Sequence, residues 1–526
     1  MRTGKLTKWT SAQRSRQPSA MLERPAICAV VGRTRHKMMH IEMLEAAKRG
    51  AKLIELRLDF LAKAPDFKRL LDGRPCPLIA TFRRSMDGGR WGGEKRERQT
   101  LLRQAIVAGF DYVDLETDIA DFIPRFGKVQ RIISYHNLRE TPAELPEIYR
   151  EMCRQDPDIV KIAVNAQQPG DNLRVLDLLK DAPKPTIAHC MGDLGTFSRL
   201  LSLRYGAPFT YGAFNKERSF APGMPSFQDL QRIYFAEQVN SNTQVFGVVG
   251  DPVAHSLSPL LHNCAFRELG INALYLPFRV PRGELAGFVE SFAEVPVHGY
   301  SVTIPHKEAA ARLAKHRDAA VDTMGAANTL VATVDGFRAF NTDAQAAIES
   351  LHANLPTGPD GVPPPLASRT VLILGAGGVG RAIAHALKRE GAALSIANRT
   401  FERAHDLAEE IGCKCVDWAA RHNVMCDTLI NCTSVGMHPN LDESPIHNSF
   451  LKPGLMVFDS IYTPETTLLV REARGRGCHV LTGVDMFVRQ AGLQFKLFTR
   501  IEPPLELMAN VARRALSPVH VEEDGA

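Results

Sequence analysis

The first half of the chain alternates short apolar runs with stretches of helical periodicity. Eight apolar runs lie between Ala26 and about Glu237, at 26–32, 53–60, 77–83, 112–117, 131–136, 158–164, 186–191 and 209–214. Strands that alternate with helices form parallel sheets, and eight such units close into a barrel. The rhythm therefore predicts a TIM (β/α)8 barrel, whose chemistry is carried by the C-terminal ends of its strands.

Charged side chains lie within or at the end of several of these runs. Glu55 and Arg57 are two residues apart and so share one face of the second strand. Arg83 and His136 close the third and fifth runs, and Lys161 lies inside the sixth. A lysine in a buried strand is costly unless it has a task or an ion-pair partner. Burial beside cations would favour its neutral amine, a nucleophile that attacks ketones to form imines, while His136 could move protons.

The segments LIELRLD, TFR, ISYH, DIVKIAV and the SRL of 198–200 resemble the type I 3-dehydroquinate dehydratases, over residues 24–237. In that family a Schiff-base lysine and a histidine eliminate water from 3-dehydroquinate to give 3-dehydroshikimate. The resemblance implies that Lys161 is the imine lysine and His136 the general acid/base. It also implies a set of charged substrate-binding residues: Glu55, Arg57, Arg83, Asp87 and Arg199.

Two segments depart from the pattern of that family. The family usually has Glu before the Gly-Gly that follows the third strand, whereas this chain has Asp87. The loop that covers the substrate usually reads Ser-Ala-Pro-Gly-Gln, and here Phe220 and Met224 replace both polar residues. Ser219 could supply the missing hydroxyl one position early. We therefore expect intact imine chemistry beneath an altered lid.

A glycine-rich turn organises the second half of the chain. Four apolar residues at 371–374 predict a buried strand, and Gly375, Gly377 and Gly380 follow at G-x-G-x-x-G spacing. A helix over Arg381–Glu390 and a second strand ending at Ala397 would complete a dinucleotide-binding unit. The glycines alone would also fit a turn without a ligand.

The residues after the second strand of this unit select the nucleotide. An NAD site usually has Asp or Glu there to hold the ribose 2′-hydroxyl, but this chain has Asn398, Arg399 and Thr400. Arg399 can pair with a 2′-phosphate, which a carboxylate would repel. The sequence therefore predicts NADP.

Between the two halves, 238–244 reads as a linker, and a new strand begins at 245. Ser256 and Ser258 could face one small ligand, or serve as turn and cap residues for a helix beginning near Pro259. Lys307 follows a strand and could be a solvated surface residue. Asp343 could be the N-cap of a helix. A ketone that accepts hydride also needs a proton at its oxygen, which a Lys307–Asp343 pair could supply.

The segments SLSP, SVTIPHK, GAANT, NTD, GAGGVG, ANRT, NCTSVGM and GVDMFVRQA are similar to those of shikimate dehydrogenases and occur in the family order, over about 245–508. The resemblance implies that Lys307 and Asp343 are the catalytic pair. It implies a set of substrate-binding residues: Ser256 and Ser258 for the carboxylate, Thr303, Asn328 and Gln490 for ring hydroxyls, and Tyr462 close by. It implies a set of cofactor-binding residues: Gly375, Ala376, Gly377, Gly378, Gly380, Asn398, Arg399, Thr400, Thr433 and Gly483.

Many bacterial shikimate dehydrogenases have Asn where this chain has Ser301. The serine form resembles the plant fused enzymes, which join a dehydratase to a dehydrogenase in this same order. We therefore expect dehydration followed by NADPH-dependent reduction to shikimate. The alternatives are a quinate/shikimate dehydrogenase with an impaired barrel, and a non-catalytic quinate sensor of the kind seen in fungal repressors.

We expect an α/β protein of several units: a tail over 1–23, the barrel over 24–237, a substrate domain over 245–350, a Rossmann NADP-binding domain over 368–485, and C-terminal helices over 486–516 that pack back on the substrate domain. The stretch 352–368 is rich in Pro and Gly and is expected to be an extended loop.

Composition narrows the class of partner. A formal charge of +6 on 526 residues does not argue for nucleic acid, and no apolar run approaches the length of a membrane span. Ten scattered cysteines without C-x-x-C predict free thiols and no metal site. Small-molecule substrates and a monomer or homodimer are expected. The first 21 residues carry five basic residues and no acid. We expect a cytoplasmic protein, with an organelle-targeting segment or a true start at Met21 as alternatives.

Overall fold

A computed structural model describes residues 26–355 and 364–517. The predicted tail over 1–23 and the targeting alternative for 1–21 lie outside these residues. Within the described part, every helix is too short or too polar to cross a membrane.

The first eight strands form one parallel sheet in the order β7-β6-β5-β4-β3-β2-β1-β8, in which β7 and β8 are the two ends. The strands are β1 Ala26–Val31, β2 Leu53–Arg57, β3 Leu78–Thr81, β4 Tyr112–Glu116, β5 Gln130–Asn137, β6 Ile159–Asn165, β7 Thr186–Met191 and β8 Phe209–Ala213. The helices are α1 His36–Lys48, α2 Phe67–Leu71, α3 Lys95–Ala108, α4 Leu145–Arg154, α5 Asp171–Lys180, α6 Thr196–Arg204 and α7 Phe227–Arg232. Each predicted run is a strand, and the predicted barrel is confirmed.

Alternate residues of the barrel strands point inward. A core inside the barrel contains Leu53 and Ile159. Because side chains repeat every two residues along a strand, Glu55 follows Leu53 on the inner face of β2, and Lys161 follows Ile159 on that of β6. The inner face thus changes from apolar to charged along the strands.

A six-stranded sheet in the order β10-β9-β11-β13-β14-β12 follows the barrel. Its strands are β9 Gln244–Gly250, β10 Ala273–Arg279, β11 Val297–Val302, β12 His316–Arg317, β13 Thr329–Thr333 and β14 Gly336–Phe340. Its helices are α8 Ser258–Glu268, α9 Leu285–Ser291, α10 Lys307–Leu313, α11 Ala319–Met324 and α12 Thr342–Asn354. Strand β9 pairs in parallel with both β10 and β11, while β11 and β13 are antiparallel. The sheet is therefore mixed.

The last sheet is parallel, in the order β17-β16-β15-β18-β19-β20. Its strands are β15 Thr370–Leu374, β16 Ala393–Ala397, β17 Lys414–Val416, β18 Thr428–Asn431, β19 Met456–Asp459 and β20 His479–Leu481. The helices are α13 Gly378–Arg389, α14 Phe401–Ile411, α15 Leu468–Gly475, α16 Gly483–Thr499 and α17 Leu505–Leu516. This is the predicted Rossmann arrangement.

Three boundaries differ from the sequence expectation. Helix α13 begins at Gly378 rather than at Arg381, and α16 begins at Gly483 rather than Met486 because Thr482 and Asp485 form a capping box. Helix α12 continues to Asn354, into the predicted loop over 352–368, of which 356–363 lie outside the described residues.

The barrel packs directly on the six-stranded sheet. The ring of Phe197 on α6 contacts the rings of Phe278 and Phe292, with centroids 4.8 Å and 5.5 Å apart. Arg279 forms an ion pair with Asp193 at 3.1 Å. Helices α16 and α17 return to pack against α12 and α8.

Candidate active sites

A cavity at the C-terminal ends of the barrel strands brings the predicted residues of the first half together. Its lining includes all seven of them: Glu55, Arg57, Arg83, Asp87, His136, Lys161 and Arg199. Phe220 and Met224 line the same cavity. The altered lid therefore faces the predicted catalytic residues.

Lys161 is buried at this cavity, with 5% of its surface exposed. Its Nζ lies 3.0 Å from Asp114 Oδ2 and 3.5 Å from Glu55 Oε1. The same Nζ lies 4.0 Å from the centroid of the Tyr211 ring, as in a cation–π contact. Its direct partners are carboxylates, and Arg83, one of the cations that the sequence suggested as neighbours, binds the same Asp114 oxygen.

Asp114 is the centre of a buried charge network that the sequence reading missed. Its carboxylate accepts hydrogen bonds from Arg83 at 2.6 Å, from Ser134 Oγ at 2.5 Å and from Lys161. Burial would raise the pKa of Asp114, but the cations Arg83 and Lys161 hold it well below its usual range. Asp114 therefore stays ionised and is a poor acceptor for the proton of Lys161.

His136 is a neutral imidazole at this site. Burial, together with Arg83 and Lys161, lowers the pKa of His136 well below 6.5. Its Nδ1 is buried and has no hydrogen-bond partner among the described residues. His189, which the sequence reading missed, also lines the cavity, and burial beside Arg199 and Lys161 lowers its pKa as well. A neutral imidazole can accept a proton, which is the task predicted for His136.

The predicted substrate-binding arginines differ in their partners. Arg57 makes two hydrogen bonds of 2.9 Å to Asp59, and Arg83 is bound to Asp114. Arg199 is fully buried without a carboxylate at ion-pair distance in the described part of the chain. Burial lowers the pKa of Arg199 to about 10, so it remains charged at neutral pH. Asp87 accepts a hydrogen bond from Arg84 at 2.5 Å and is therefore already paired.

The lid segment is closed by an aromatic contact. The Phe220 ring meets the Phe60 ring edge-on at 5.3 Å, and the Arg57 guanidinium lies 5.4 Å from the Phe220 centroid. Gly32 leaves the room that this requires, because a Cβ there would lie 2.6 Å from Phe220 Cε1. Ser219 is exposed and donates to the carbonyl of Ala221 at 2.7 Å. Ser219 is not among the residues that line the cavity.

A second cavity lies between the six-stranded sheet and the Rossmann sheet. It is lined by the predicted substrate-binding and catalytic residues of the second half: Ser256, Ser258, Thr303, Lys307, Asn328, Asp343, Tyr462 and Gln490. Gly483, Ser301, Met486 and Gln494 also line it, and of these only Gly483 had been assigned a role. Met437 brings the NCTSVGM segment to the same cavity.

Lys307 and Asp343 form a close pair in this cavity. Lys307 Nζ lies 2.5 Å from Asp343 Oδ2, and Asn328 Nδ2 donates to Asp343 Oδ1 at 2.9 Å. The alternative roles fail here. The N-cap of α12 is Asn341 rather than Asp343, and the Lys307 side chain is only 27% exposed.

The two serines lie at the start of α8, whose N-cap is Leu257 rather than either serine. Ser256 Oγ accepts the backbone N–H of Ser258 at 3.2 Å, a bond typical of a turn that leads into a helix. Both serines nevertheless line the cavity. Tyr462 stacks on Phe487 with centroids 4.9 Å apart, at the edge of the same cavity.

The glycine-rich turn has the geometry of a phosphate cradle. Gly375 has φ +105°, and a Cβ there would lie 2.8 Å from the backbone of Cys432. A Cβ on Gly380 would lie 2.1 Å from the Gly375 carbonyl oxygen. Gly377 and Gly378 instead face open space at the start of α13. Backbone N–H groups at a helix N-terminus can therefore approach a pyrophosphate there.

The loop after β16 fits a 2′-phosphate. Asn398 Oδ1 accepts the N–H of Ala376 at 3.2 Å and so ties this loop to the glycine turn. Arg399 and Thr400 are exposed beside it, and Arg399 has no carboxylate partner among the described residues. Thr433 donates to Asn431 Oδ1 through both its N–H and its hydroxyl, on the neighbouring strand end. The residues present fit NADP.

Comparison with known proteins covers both halves. The family model for type I 3-dehydroquinase matches residues 27–241. The models for the shikimate dehydrogenase substrate binding domain and for shikimate/quinate 5-dehydrogenase match residues 248–330 and 362–447.

Relatives match the whole chain or its second half. The bifunctional 3-dehydroquinate dehydratase/shikimate dehydrogenase of Arabidopsis thaliana, described as chloroplastic, is 38% identical over 91% of this chain and 83% of its own length. The NADP(+) shikimate dehydrogenase of Methanopyrus kandleri is 40% identical over 51% of this chain and 95% of its own length. That of Shouchella clausii is 36% identical over 52% of this chain and all of its own length. The chain belongs to the family of bifunctional 3-dehydroquinate dehydratase/shikimate dehydrogenases.

Proposed function

We propose that this chain carries out its two reactions with the residues assembled in its two cavities. The barrel dehydrates 3-dehydroquinate to 3-dehydroshikimate, and the second half reduces that ketone to shikimate with NADPH. The observation that carries the proposal is the presence, in one chain, of two cavities. One holds a buried lysine with a neutral histidine, and the other holds a lysine paired with a carboxylate.

In the barrel, we propose that the Lys161 amine adds to the ketone carbon and that water leaves to form an imine. The cationic imine draws electrons from the neighbouring C–H bond, whose proton neutral His136 accepts. The ring hydroxyl leaves with a proton as water, and a second water hydrolyses the imine and frees Lys161. Arg199, which has no carboxylate partner among the described residues, is the cation available for the substrate carboxylate.

In the second half, NADPH supplies a hydride to the ketone carbon. Lys307 donates the proton that the ketone oxygen requires, and Asp343 holds the ammonium in place at 2.5 Å. Ser256 and Ser258 bind the substrate carboxylate, and Thr303, Asn328, Gln490 and Tyr462 surround the ring. Arg399 and its neighbours hold the 2′-phosphate, while the glycine turn and Thr433 hold the rest of the cofactor.

A second candidate is a quinate/shikimate dehydrogenase with a weak barrel. The observation that favours it is the apolar lid, in which Phe220 and Met224 line the same cavity as the charged substrate-binding residues. An apolar lid cannot hydrogen-bond the hydroxyls of 3-dehydroquinate.

The test is to add 3-dehydroquinate and NADPH to the pure chain. NADPH consumption is expected, and it reports both halves at once. 3-Dehydroshikimate given instead reports the second half alone, and quinate with NADP+ reports the second candidate. Consumption with 3-dehydroshikimate but not with 3-dehydroquinate would contradict the proposed barrel reaction.

We also propose that the chain acts in the cytoplasm, as a monomer or homodimer. The test of location compares fluorescent fusions of the whole chain and of a chain starting at Met21. Organelle uptake of the first fusion alone would contradict a cytoplasmic site. Light scattering at several concentrations gives the oligomeric state, and a particle larger than a dimer would contradict the proposal.

A further inference from the structure

A buried chain of hydrogen bonds begins behind the dehydrogenase cavity at Tyr275 and reaches the cavity wall at Ser301 and Gln494. Tyr275 Oη donates to Ser301 Oγ at 2.6 Å, and Ser301 Oγ donates to Gln494 Oε1 at 2.7 Å. All three residues are at most 4% exposed. The chain joins β10 and β11 to α16, which lies far from both in the sequence.

Gln494 extends this chain toward the catalytic pair. Its Nε2 donates to the backbone oxygen of Asn328 at 2.9 Å and to Thr329 Oγ1 at 3.0 Å. Thr329 Oγ1 in turn donates to Asn328 Oδ1 at 2.8 Å. Asn328 is therefore held through both its backbone and its side chain.

The orientation of the Asn328 amide follows from a backbone donor. The N–H of Thr342 can only donate, and it lies 3.0 Å from Asn328 Oδ1, so that atom is the oxygen. Asn328 Nδ2 then faces Asp343 Oδ1 at 2.9 Å and Thr342 Oγ1 at 2.9 Å. The hydrogen bonds are therefore all donated in the same direction, from Tyr275 towards Asp343.

The ring of Tyr275 is held by packing rather than by its hydroxyl. It stacks on the His262 ring with centroids 4.3 Å apart and an angle of 4° between the planes. Both His262 nitrogens are buried without a partner among the described residues, so His262 does not compete for the phenol. The hydroxyl therefore keeps its bond to Ser301, and Ser258 is a second serine that bonds to it.

We propose that Tyr275, Ser301 and Gln494 are positioning residues that fix Asn328 and, through it, the Asp343 carboxylate against Lys307. The proposal rests on the proposed roles of Lys307 and Asp343. Asn328 holds one carboxylate oxygen of Asp343, so that the other faces Lys307. Proton transfer depends steeply on such alignment, because small misplacements at a reacting centre slow it strongly.

The first test compares Tyr275→Phe and Ser301→Ala with the unmodified chain. In each variant, kcat for shikimate oxidation is expected to fall about tenfold, with KM for shikimate and NADP+ changed less than about twofold. The double variant is expected to be no slower than the slower single one, because both changes cut one chain. Dehydratase activity of the same molecule is the internal reference and is expected to stay unchanged.

Two further variants separate positioning from packing. Tyr300→Phe removes another buried tyrosine hydroxyl, one without a hydrogen bond in the described part of the chain, and is expected to leave kcat unchanged. Ser301→Thr keeps a hydroxyl and is expected to restore most of the rate lost in Ser301→Ala.

Three results would overturn the proposal: kcat within about twofold of the unmodified chain in both single variants, a loss expressed only as a higher KM for shikimate, or fully additive losses in the double variant. An unchanged dehydrogenase rate in Asp343→Asn would instead overturn the proposed function itself. The two failures are therefore distinguishable.

Discussion

The two halves of the chain each place a lysine at a cavity, but in different surroundings. The Lys161 side chain is 7% exposed and contacts Asp114, Glu55 and the face of Tyr211. The Lys307 side chain, at the start of α10, is 27% exposed and contacts Asp343. The first lysine belongs to a barrel strand, and the second to the first turn of a helix.

This difference matches the two kinds of chemistry proposed. An amine that acts as a nucleophile must lose its proton, and the neutral imidazole of His136, which lines the same cavity, is a group that can accept one. A proton donor must be held against the ketone oxygen when the hydride arrives, and Asp343, itself fixed by Asn328, positions Lys307 for this task. The same residue type is thus assigned opposite roles by its surroundings.

The largest expected effect comes from exchanging each lysine for methionine. Lys161→Met should lower dehydratase kcat by at least about 10³-fold, because no other group in the cavity can form the imine. Lys307→Met should lower dehydrogenase kcat by about 10²-fold or more, because general acid catalysis is worth about that much. Rates are measured separately with 3-dehydroquinate and with shikimate plus NADP+.

Each lysine variant is also the control for the other. The half that is not mutated should keep its rate. Loss of both activities in either variant would contradict the separation of the two sites.

One buried histidine of the second half, His262 on α8, makes the stability of the fold depend on pH. Burial alone lowers the pKa of His262 to about 3. The unfolded chain takes up this proton below about pH 6.5 and the folded chain only near pH 3, so His262 makes the fold less stable as pH falls below about 6.5. Between pH 7 and pH 5 the loss is about 2 kcal/mol.

His262→Phe keeps the stacked ring but removes the titrating group, and should abolish this part of the pH dependence. The measurement is hydrogen exchange of β10 at both pH values, taken as the difference between the variant and the unmodified chain. His405→Phe, at an exposed site, is the matched control and should change nothing. An equal loss of protection on acidification in the His262→Phe variant and in the unmodified chain would contradict a buried neutral histidine.

Variants of Arg399 test the preference of the second half for NADPH over NADH. The unmodified chain should favour NADPH over NADH by at least about tenfold in kcat/KM, or roughly 1.4 kcal/mol. Arg399→Ala should remove most of that preference, and Arg399→Lys should retain part of it because the charge remains. Equal use of both nucleotides by the unmodified chain would contradict the assignment of Arg399.

The smallest expected effect concerns the barrel lid. In a Lys161→Met background, the double change Phe220→Ser with Met224→Gln should bind 3-dehydroquinate about fivefold more tightly, because polar lid groups can bond the substrate hydroxyls. Calorimetry gives the Kd. Met86→Gln, at an exposed residue, should leave the Kd unchanged. Tighter binding by the original lid would show that Phe220 and Met224 suit the substrate.

Much of the architecture could be predicted because it depends on local periodicity. All eight barrel strands, β15, β16 and the glycine turn lie where the apolar runs and glycine spacing place them. Helix starts were less accurate: the capping box of Thr482 and Asp485 begins α16 three residues early. Such a cap depends on side-chain bonds rather than on the apolar pattern.

The partners of the site residues were harder to predict. Asp114 and Glu116 are two apart in β4, so the face argument used for Glu55 and Arg57 would have placed both inside the barrel. The contact of Ser301 with Gln494 spans 193 residues, and no local pattern encodes it. The burial of Lys161 could be predicted from its position within an apolar strand. Its carboxylate neighbours lie on other strands and could not be predicted in this way.

The most direct test of the account is to trap the imine. The unmodified chain is incubated with 3-dehydroquinate and borohydride, digested, and its peptides are weighed by mass spectrometry. The account predicts one reduced adduct, on Lys161, with Lys307 unmodified. An adduct on Lys307, or none on either lysine under conditions of full turnover, would contradict the claim that their surroundings give the two lysines different chemistry.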